Sequence, residues 1–143
     1  METPSSPKLD ICIVSWRTRD LLRAGLASVV DQPAAGRIIV VDNASDDGTA
    51  EMVAREFPSV HLLPNSRNLG FAAGNNQAIG ASSSPFLLLL NPDTEVSPGA
   101  LGGFLAAFAE HPRAGAVAAP LVFPDGSVQR SCRSFPDPAA LFY

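Results

Sequence analysis

The sequence predicts an α/β domain: a mostly parallel, open sheet with helices flanking it. Two observations carry that expectation. Short, continuous apolar runs recur along the chain, and the segments between them repeat apolar residues at helical spacing. Size and composition agree. At 143 residues, 46% hydrophobic and 17% charged, the chain suits one soluble globular domain with a single core and lies well outside the disordered range. Its net charge of -4 offers no general attraction to nucleic acid or to an anionic membrane.

The polar, proline-containing stretch 1–8 reads as a flexible leader, because it lacks the apolar core of a secretory signal; residues 9–143 read as the domain. Ile11-Cys12-Ile13-Val14 is the first apolar run, the pattern of a strand covered on both faces. Leu22, Leu26, Val29 and Val30 then recur at i, i+4, i+7 and i+8, which predicts an amphipathic helix with Arg19, Asp20 and Arg23 on its solvent side. Ile38 to Val41 is the second strand. Thr49 to Phe57 is a helix that Asp46, Asp47 or Thr49 can cap and Pro58 ends. Val60 to Leu63 is the third strand, and Gly70 to Ser82 a helix whose glycines serve close approach. Phe86 to Leu90 is the fourth strand. Leu101, Phe104, Leu105 and Phe108 predict the last helix, and Ala116 to Ala119 reads as a fifth strand. Pro124-Asp125-Gly126 is a turn between Leu121–Phe123 and Ser127–Arg133, so a hairpin is expected there. The apolar end Leu141-Phe142-Tyr143 reads as a chain that continues.

In open parallel sheets ligands gather at the carboxyl ends of the strands, so the loops after the apolar runs are the places to look. Three are unusual. Asp42-Asn43-Ala44-Ser45-Asp46-Asp47-Gly48 ends a strand on a carboxylate that can accept from a nucleobase imide N–H or a ribose hydroxyl, or can cap the next helix; Asp46 and Asp47 read as capping and solvated. Asn65 to Asn76 leads through Gly70 and Gly74 into a small-residue helix, where Asn75 and Asn76 offer uncharged amides. Alone it also fits an ordinary loop and a helix packed tightly on the sheet. Asn91-Pro92-Asp93-Thr94-Glu95 places oxygen ligands after the most apolar strand, and magnesium or manganese typically takes one or two carboxylates and completes its shell with phosphate and water. Asp93 is the candidate carboxylate; Glu95 is a second or faces solvent.

Several chemistries are excluded by missing residues. Ser15-Trp16-Arg17-Thr18 stands where a dinucleotide fingerprint would follow the first strand, and neither a phosphate-loop lysine motif nor a serine-hydrolase elbow is present. His61 and His111 read as structural, the latter at a helix C-terminus. Cys12 reads as a buried hydrophobe, and with only Cys132 besides it a reducing compartment fits. Trp16, at a strand end, can stack on a base or cover the sheet edge.

In this order, Ile11 to Trp16, Val40 to Ser45, Asn68 to Asn76 and Leu89 to Glu95 resemble the family 2 glycosyltransferases, most closely the rhamnosyltransferase-like members. The resemblance implies a Rossmann-like GT-A fold, a nucleotide-diphospho-sugar donor such as one carrying rhamnose, a saccharide or lipid-linked acceptor, and a divalent metal, magnesium or manganese, bridging the diphosphate. It implies that Asp42 binds the nucleobase, that Ser15, Trp16, Arg17 and Asn43 line the same pocket, and that Gly70 with Asn75 or Asn76 contacts the donor. Asn91-Pro92-Asp93 takes the place of the family's Asp-x-Asp motif, with Asp93 as metal residue and Asn91 beside it. A neutral amide at Asn91 attracts a cation less than a carboxylate does, so metal affinity is expected to depend on donor phosphates. The family's catalytic base falls after the hairpin, so the chain is expected to be the donor half of an inverting transferase, or a nucleotide-sugar-binding module without turnover. A sugar-nucleotide-forming nucleotidyltransferase shares the architecture but requires a glycine- and lysine-rich loop that is absent. Such enzymes imply a cytoplasmic location at the inner face of a membrane, with no membrane segment in the chain.

Overall fold

The computed structural model describes residues 8–129. Four strands form one parallel sheet: β1 (Leu9–Ser15), β2 (Ala35–Asp42), β3 (His61–Pro64) and β4 (Leu87–Leu90), ordered β3-β2-β1-β4. Helices α1 (Arg19–Val29), α2 (Thr49–Glu56) and α3 (Phe71–Gly80) make the crossovers, and α4 (Ala100–Glu110) follows β4. The chain builds the sheet outward from β1 in one direction through β2 and β3, then returns past them to add β4 on the other side. β1 and β4 therefore flank a topological switch point, where crossovers leave to opposite faces and open a crevice above the strand ends.

The continuous apolar runs are explained by cover on both faces. Leu9, Ile11 and Ile13 of β1, with Ile38 and Val40 of β2, pack against Leu22, Leu26 and Val29 of α1, Met52 and Val53 of α2 and Leu101 of α4. The alternate residues Cys12, Val14, Ile39 and Val41 pack against Ala78 of α3. Burying each of the larger aliphatic side chains contributes about 1.5–3 kcal/mol. α3 lies close to the sheet because Gly74 has no side chain: a Cβ there would stand 2.8 Å from a Val14 methyl. An exposed ion pair from Arg23 to Glu56 at 2.7 Å ties α1 to α2, and Arg23 also pairs with Asp20 within α1 at 2.7 Å; solvent screening keeps both weak.

Two expectations change. Ala116 to Ala119 forms no strand: the segment lies across a groove of about 300 Å³ from the outer edge of β4, lined among others by Leu87, Leu89, Phe104, Phe108, Ala116 and Val117. Small alanines have low β propensity and bury little, and Pro120 lacks a backbone donor. The hairpin is shorter than expected within the described residues. β5 (Leu121–Val122) and β6 (Val128–Gln129) pair antiparallel around Gly126, which has φ 82°. Residues 130–133 of its expected second strand, the 1–7 part of the leader and the terminal aromatic stretch lie outside the described residues.

Candidate functional site

The parallel register brings the expected loops to one end of the sheet. Ser15 pairs with Asp42, Asp42 with Pro64, and Ile13 with Leu90. The loops after β1, β2, β3 and β4 thus emerge side by side.

Asp42 is the most distinctive group there. Only 3% of it is exposed. Its Oδ2 accepts from the Ser45 backbone N–H at 3.3 Å, whereas Oδ1 is buried without a partner among the described residues. An unpaired buried acceptor costs about 1–3 kcal/mol, more when it is charged. The functional and capping readings of Asp42 both draw on this geometry, since one oxygen serves the turn and the other is free.

Asn43 is 2% exposed, and its amide is engaged inside the protein. Nδ2 donates to the Gly70 carbonyl at 3.2 Å, while Oδ1 accepts from Asn65 Nδ2 at 2.9 Å and from the Leu69 backbone N–H at 3.4 Å. Asn65 and Gln77 exchange two amide bonds of 2.9 and 3.1 Å. This network ties the loop after β3 to the end of β2. Ser15 is also spent internally: its hydroxyl meets Thr18 Oγ1 at 2.9 Å and its carbonyl accepts from Asn43 N. Asn75 is buried in α3, donating from Nδ2 to the Phe71 carbonyl at 3.0 Å, whereas Gly70, with φ 84°, and Asn76 are exposed.

The β1–α1 and β2–α2 loops are stitched together. The Arg17 backbone N–H donates to Ser45 Oγ at 2.9 Å, and Arg17 Nη2 pairs with Asp46 Oδ2 at 2.7 Å. The Arg19 backbone N–H donates to Asp47 Oδ2 at 3.1 Å. Asp47 Oδ1 accepts from the backbone N–H and hydroxyl of Thr49, so one carboxylate bridges the starts of α1 and α2. Burial works against its charge, but these hydrogen bonds outweigh that and hold Asp47 below the ordinary aspartate range. Arg17 and Ala44 have φ of 55° and 60°, the two non-glycine residues in the left-handed region among those described. Each costs about 1 kcal/mol or more, so the stitching has strain to overcome. Trp16 is 49% exposed, with the Arg17 guanidinium 5.2 Å from its ring centroid.

The Asn91–Glu95 loop is held from beneath by α1. Gly25 faces it: a Cβ there would lie 3.0 Å from the Thr94 carbonyl oxygen and 3.5 Å from that of Pro92. Ser28 Oγ accepts from the Val96 backbone N–H at 2.9 Å, and Gln32 Nε2 donates to the Val96 carbonyl at 3.1 Å. Asn91, Asp93 and Glu95 are exposed. No group of three or more His, Cys, Asp or Glu side chains that could hold a metal occurs among the described residues. Any cation here must draw most of its ligands from elsewhere, and hard cations accept phosphate and water for this.

Residues that sequence reasoning did not assign to the site, in the loops and on the helices beside them, also shape it. Ser45, Asp46, Asn65 and Gln77 organise it, and Gly25 lets the last loop approach. Their partners lie 12 to 29 positions away in sequence, and no local pattern marks such pairs.

Fold and site together define a doubly wound α/β domain with a polar crevice at the carboxyl ends of its strands. The model of the family described as glycosyl transferase family 2 matches residues 10–138, and the chain belongs to that family. It is 33% identical over 124 residues to the N-acetylglucosaminyl-diphospho-decaprenol L-rhamnosyltransferase of Mycobacterium tuberculosis (strain CDC 1551 / Oshkosh), covering 79% of this chain and 40% of that protein. It is 32% identical over 103 residues to the succinoglycan biosynthesis protein ExoU of Rhizobium meliloti (strain 1021), covering 68% of this chain and 30% of that one. The chain therefore spans less than half the length of these relatives. Among solved structures it is similar to the mannosyltransferase PcManGT from Pyrobaculum calidifontis in complex with GDP-Man and Mn2+, with a TM-score of 0.66 and 20% identity over 74% of this chain and 33% of that one. S. aureus TarS 1-349 in complex with UDP-GlcNAc is also similar, with a TM-score of 0.63 and 21% identity over 73% of this chain and 32% of that one. The GT-A fold expected from the sequence is the fold observed. Among the described residues no helix is long and apolar enough to cross a membrane.

Proposed function

We propose that this chain binds the nucleotide-diphospho-sugar donor of a glycosyltransferase acting in polysaccharide or glycoconjugate synthesis. The observation that carries the reading is Asp42 Oδ1: a buried acceptor with no partner among the described residues, at the end of β2 and beside the switch point. The imide N–H of uracil or thymine, or N1–H of guanine, supplies the missing donor. Trp16, half exposed just past the end of the neighbouring strand β1, offers an apolar face for the base, and base–aromatic stacking is worth about 1–3 kcal/mol. Asn43 acts by positioning the 65–70 loop rather than by touching the ligand, because its amide is already engaged.

Asp93, with Glu95 nearby in sequence, would hold a divalent cation jointly with donor phosphates, and the single carboxylate at the motif fits a shared site better than a self-sufficient one. When bound, such a cation supplies charge neutralisation for the leaving diphosphate. The chain's own residues bind the base and orient the diphosphate toward the Asn91–Asp93 loop. In the transfer itself an acceptor hydroxyl loses its proton to a base, its oxygen bonds to the anomeric carbon, and the bond to the diphosphate breaks, inverting configuration. No residue here is assigned as that base. Rhamnose as the sugar, and a lipid-linked saccharide as acceptor, are supported by the Mycobacterium relative.

Calorimetric titration with thymidine, uridine and guanosine diphosphates, with and without manganese, tests the reading. One diphosphate is expected to bind, more tightly with manganese. Asp42→Asn is expected to weaken it about tenfold or more, the worth of a hydrogen bond to a charged group. A folded chain that binds none of the three refutes the reading, as does binding that Asp42→Asn leaves unchanged.

A further inference from the structure

Asp46 has no role in the reading above. Its carboxylate is exposed and belongs to the turn after β2, yet it reaches back to the β1–α1 loop and pairs with Arg17 at 2.7 Å. Arg17 is constrained from three sides. Its backbone N–H is held by Ser45 Oγ, its backbone is in the left-handed region at φ 55°, and its guanidinium lies 5.2 Å from the Trp16 ring centroid. A planar cation covering one face of an indole limits the rotamers that the ring can adopt. The ring itself is half exposed and makes no hydrogen bond among the described residues, so little else fixes it.

We propose that Asp46 is a positioning residue for the nucleobase: by holding the Arg17 guanidinium against Trp16, it fixes the indole as a stacking platform with its other face open. The proposal rests on the donor-site reading. A platform ordered before the ligand arrives spares the entropy of ordering it on binding. Lysine would not substitute for Arg17, since an ammonium pairs with Asp46 but cannot lie flat on the ring. Asp46 and Arg17 also neutralise one another, so removing the carboxylate leaves a cation free to meet phosphate. The test must therefore separate base from phosphate.

Trp16 is the single tryptophan of the chain, so its fluorescence reports the platform directly. Asp46→Asn removes the charge with little change of shape. It is expected to shift Trp16 emission and increase acrylamide quenching without ligand, and to raise the Kd of the nucleoside whose diphosphate binds about two- to fivefold, and that of the diphosphate by a smaller factor because the freed guanidinium offsets part of the loss. Asp46→Glu is expected to restore both readouts, which loss of general stability would not allow. Arg17→Lys is expected to behave like Asp46→Asn. Unchanged emission and Kd in Asp46→Asn overturn the proposal while leaving the donor-site reading intact, provided Asp42→Asn still weakens binding. A diphosphate that binds more tightly to Asp46→Asn while the nucleoside binds as before also overturns it, because Asp46 would then act through charge alone. A folded wild-type chain that binds none of the thymidine, uridine and guanosine diphosphates overturns the donor-site reading and this proposal with it.

Discussion

Gly25→Ala isolates the contact between α1 and the loop that carries Asp93. Within a helix alanine is favoured over glycine by about 1 kcal/mol. At this position the added methyl would stand 3.0 Å from the Thr94 carbonyl oxygen, closer than such contacts normally come. The loop cannot simply lift away, because Val96 is hydrogen-bonded through its N–H to Ser28 on the same helix and through its carbonyl to Gln32 in the turn that follows it. Overpacking of this kind costs about 1–3 kcal/mol, so the net effect is a destabilisation of about 0–2 kcal/mol. Gly103→Ala in α4 is the matched control: it gains the same propensity, and nothing stands within 4 Å of its Cβ. Urea unfolding of the two variants, at unchanged m, is expected to separate them by about 1–3 kcal/mol. Titration of Gly25→Ala with nucleoside diphosphate is expected to show the manganese enhancement reduced, since the displacement falls on residues 92–94. If Gly25→Ala stabilises the chain as much as Gly103→Ala, and manganese still enhances binding fully, the loop does not depend on this contact and the reasoning fails.

Other outcomes follow from single contacts. Asp47→Ala removes a carboxylate bridging two helix starts and is expected to cost about 1 kcal/mol in urea unfolding. In the wild type that carboxyl is held below its ordinary value of 3.8. Its stabilisation is therefore present above that pH and lost as pH falls through the lower folded-state value, so the difference between wild type and Asp47→Ala should shrink only in that acid range. Gly74→Ala drives a methyl into Val14 and is expected to destabilise by about 1–3 kcal/mol, with Asn43 and the 65–70 loop disturbed through α3. The Cys12 thiol, pushed up to about 11 by burial and by Asp10 beside it, is expected to resist alkylation at pH 8 until the chain unfolds; labelling mapped to Cys12 in the native state would contradict its burial.

The fold was largely legible because both signals that specify it are local. Apolar runs of four or five residues mark strands covered on both faces, and Leu22, Leu26 and Val29 mark a helix by spacing alone. Where the local signal was weak, tertiary context decided. Ala116 to Ala119 has the length of a strand but not the side chains to hold a place on the β4 edge, whereas within the expected 70–82 segment Phe71–Gly80 forms a helix despite its glycines because Gly74 seats it on Val14.

The candidate site divides in the same way. That the ligand loops lie at the carboxyl ends of the strands follows from the alternation of runs and helices in the sequence, whereas the order β3-β2-β1-β4, which decides which loops are neighbours, is seen only in the structure. What each side chain does there belongs to the tertiary structure. Asp42 and Asn43 are neighbours with similar polar character, yet one keeps a free buried oxygen and the other spends its whole amide on the loop after β3. Asp46 and Asp47 read alike in sequence as capping residues, but one reaches Arg17 and the other bridges two helices. The physical reason is that hydrogen bonds form between groups close in space, and the partners of these side chains come from other loops that only the folded sheet brings within 3 Å or so.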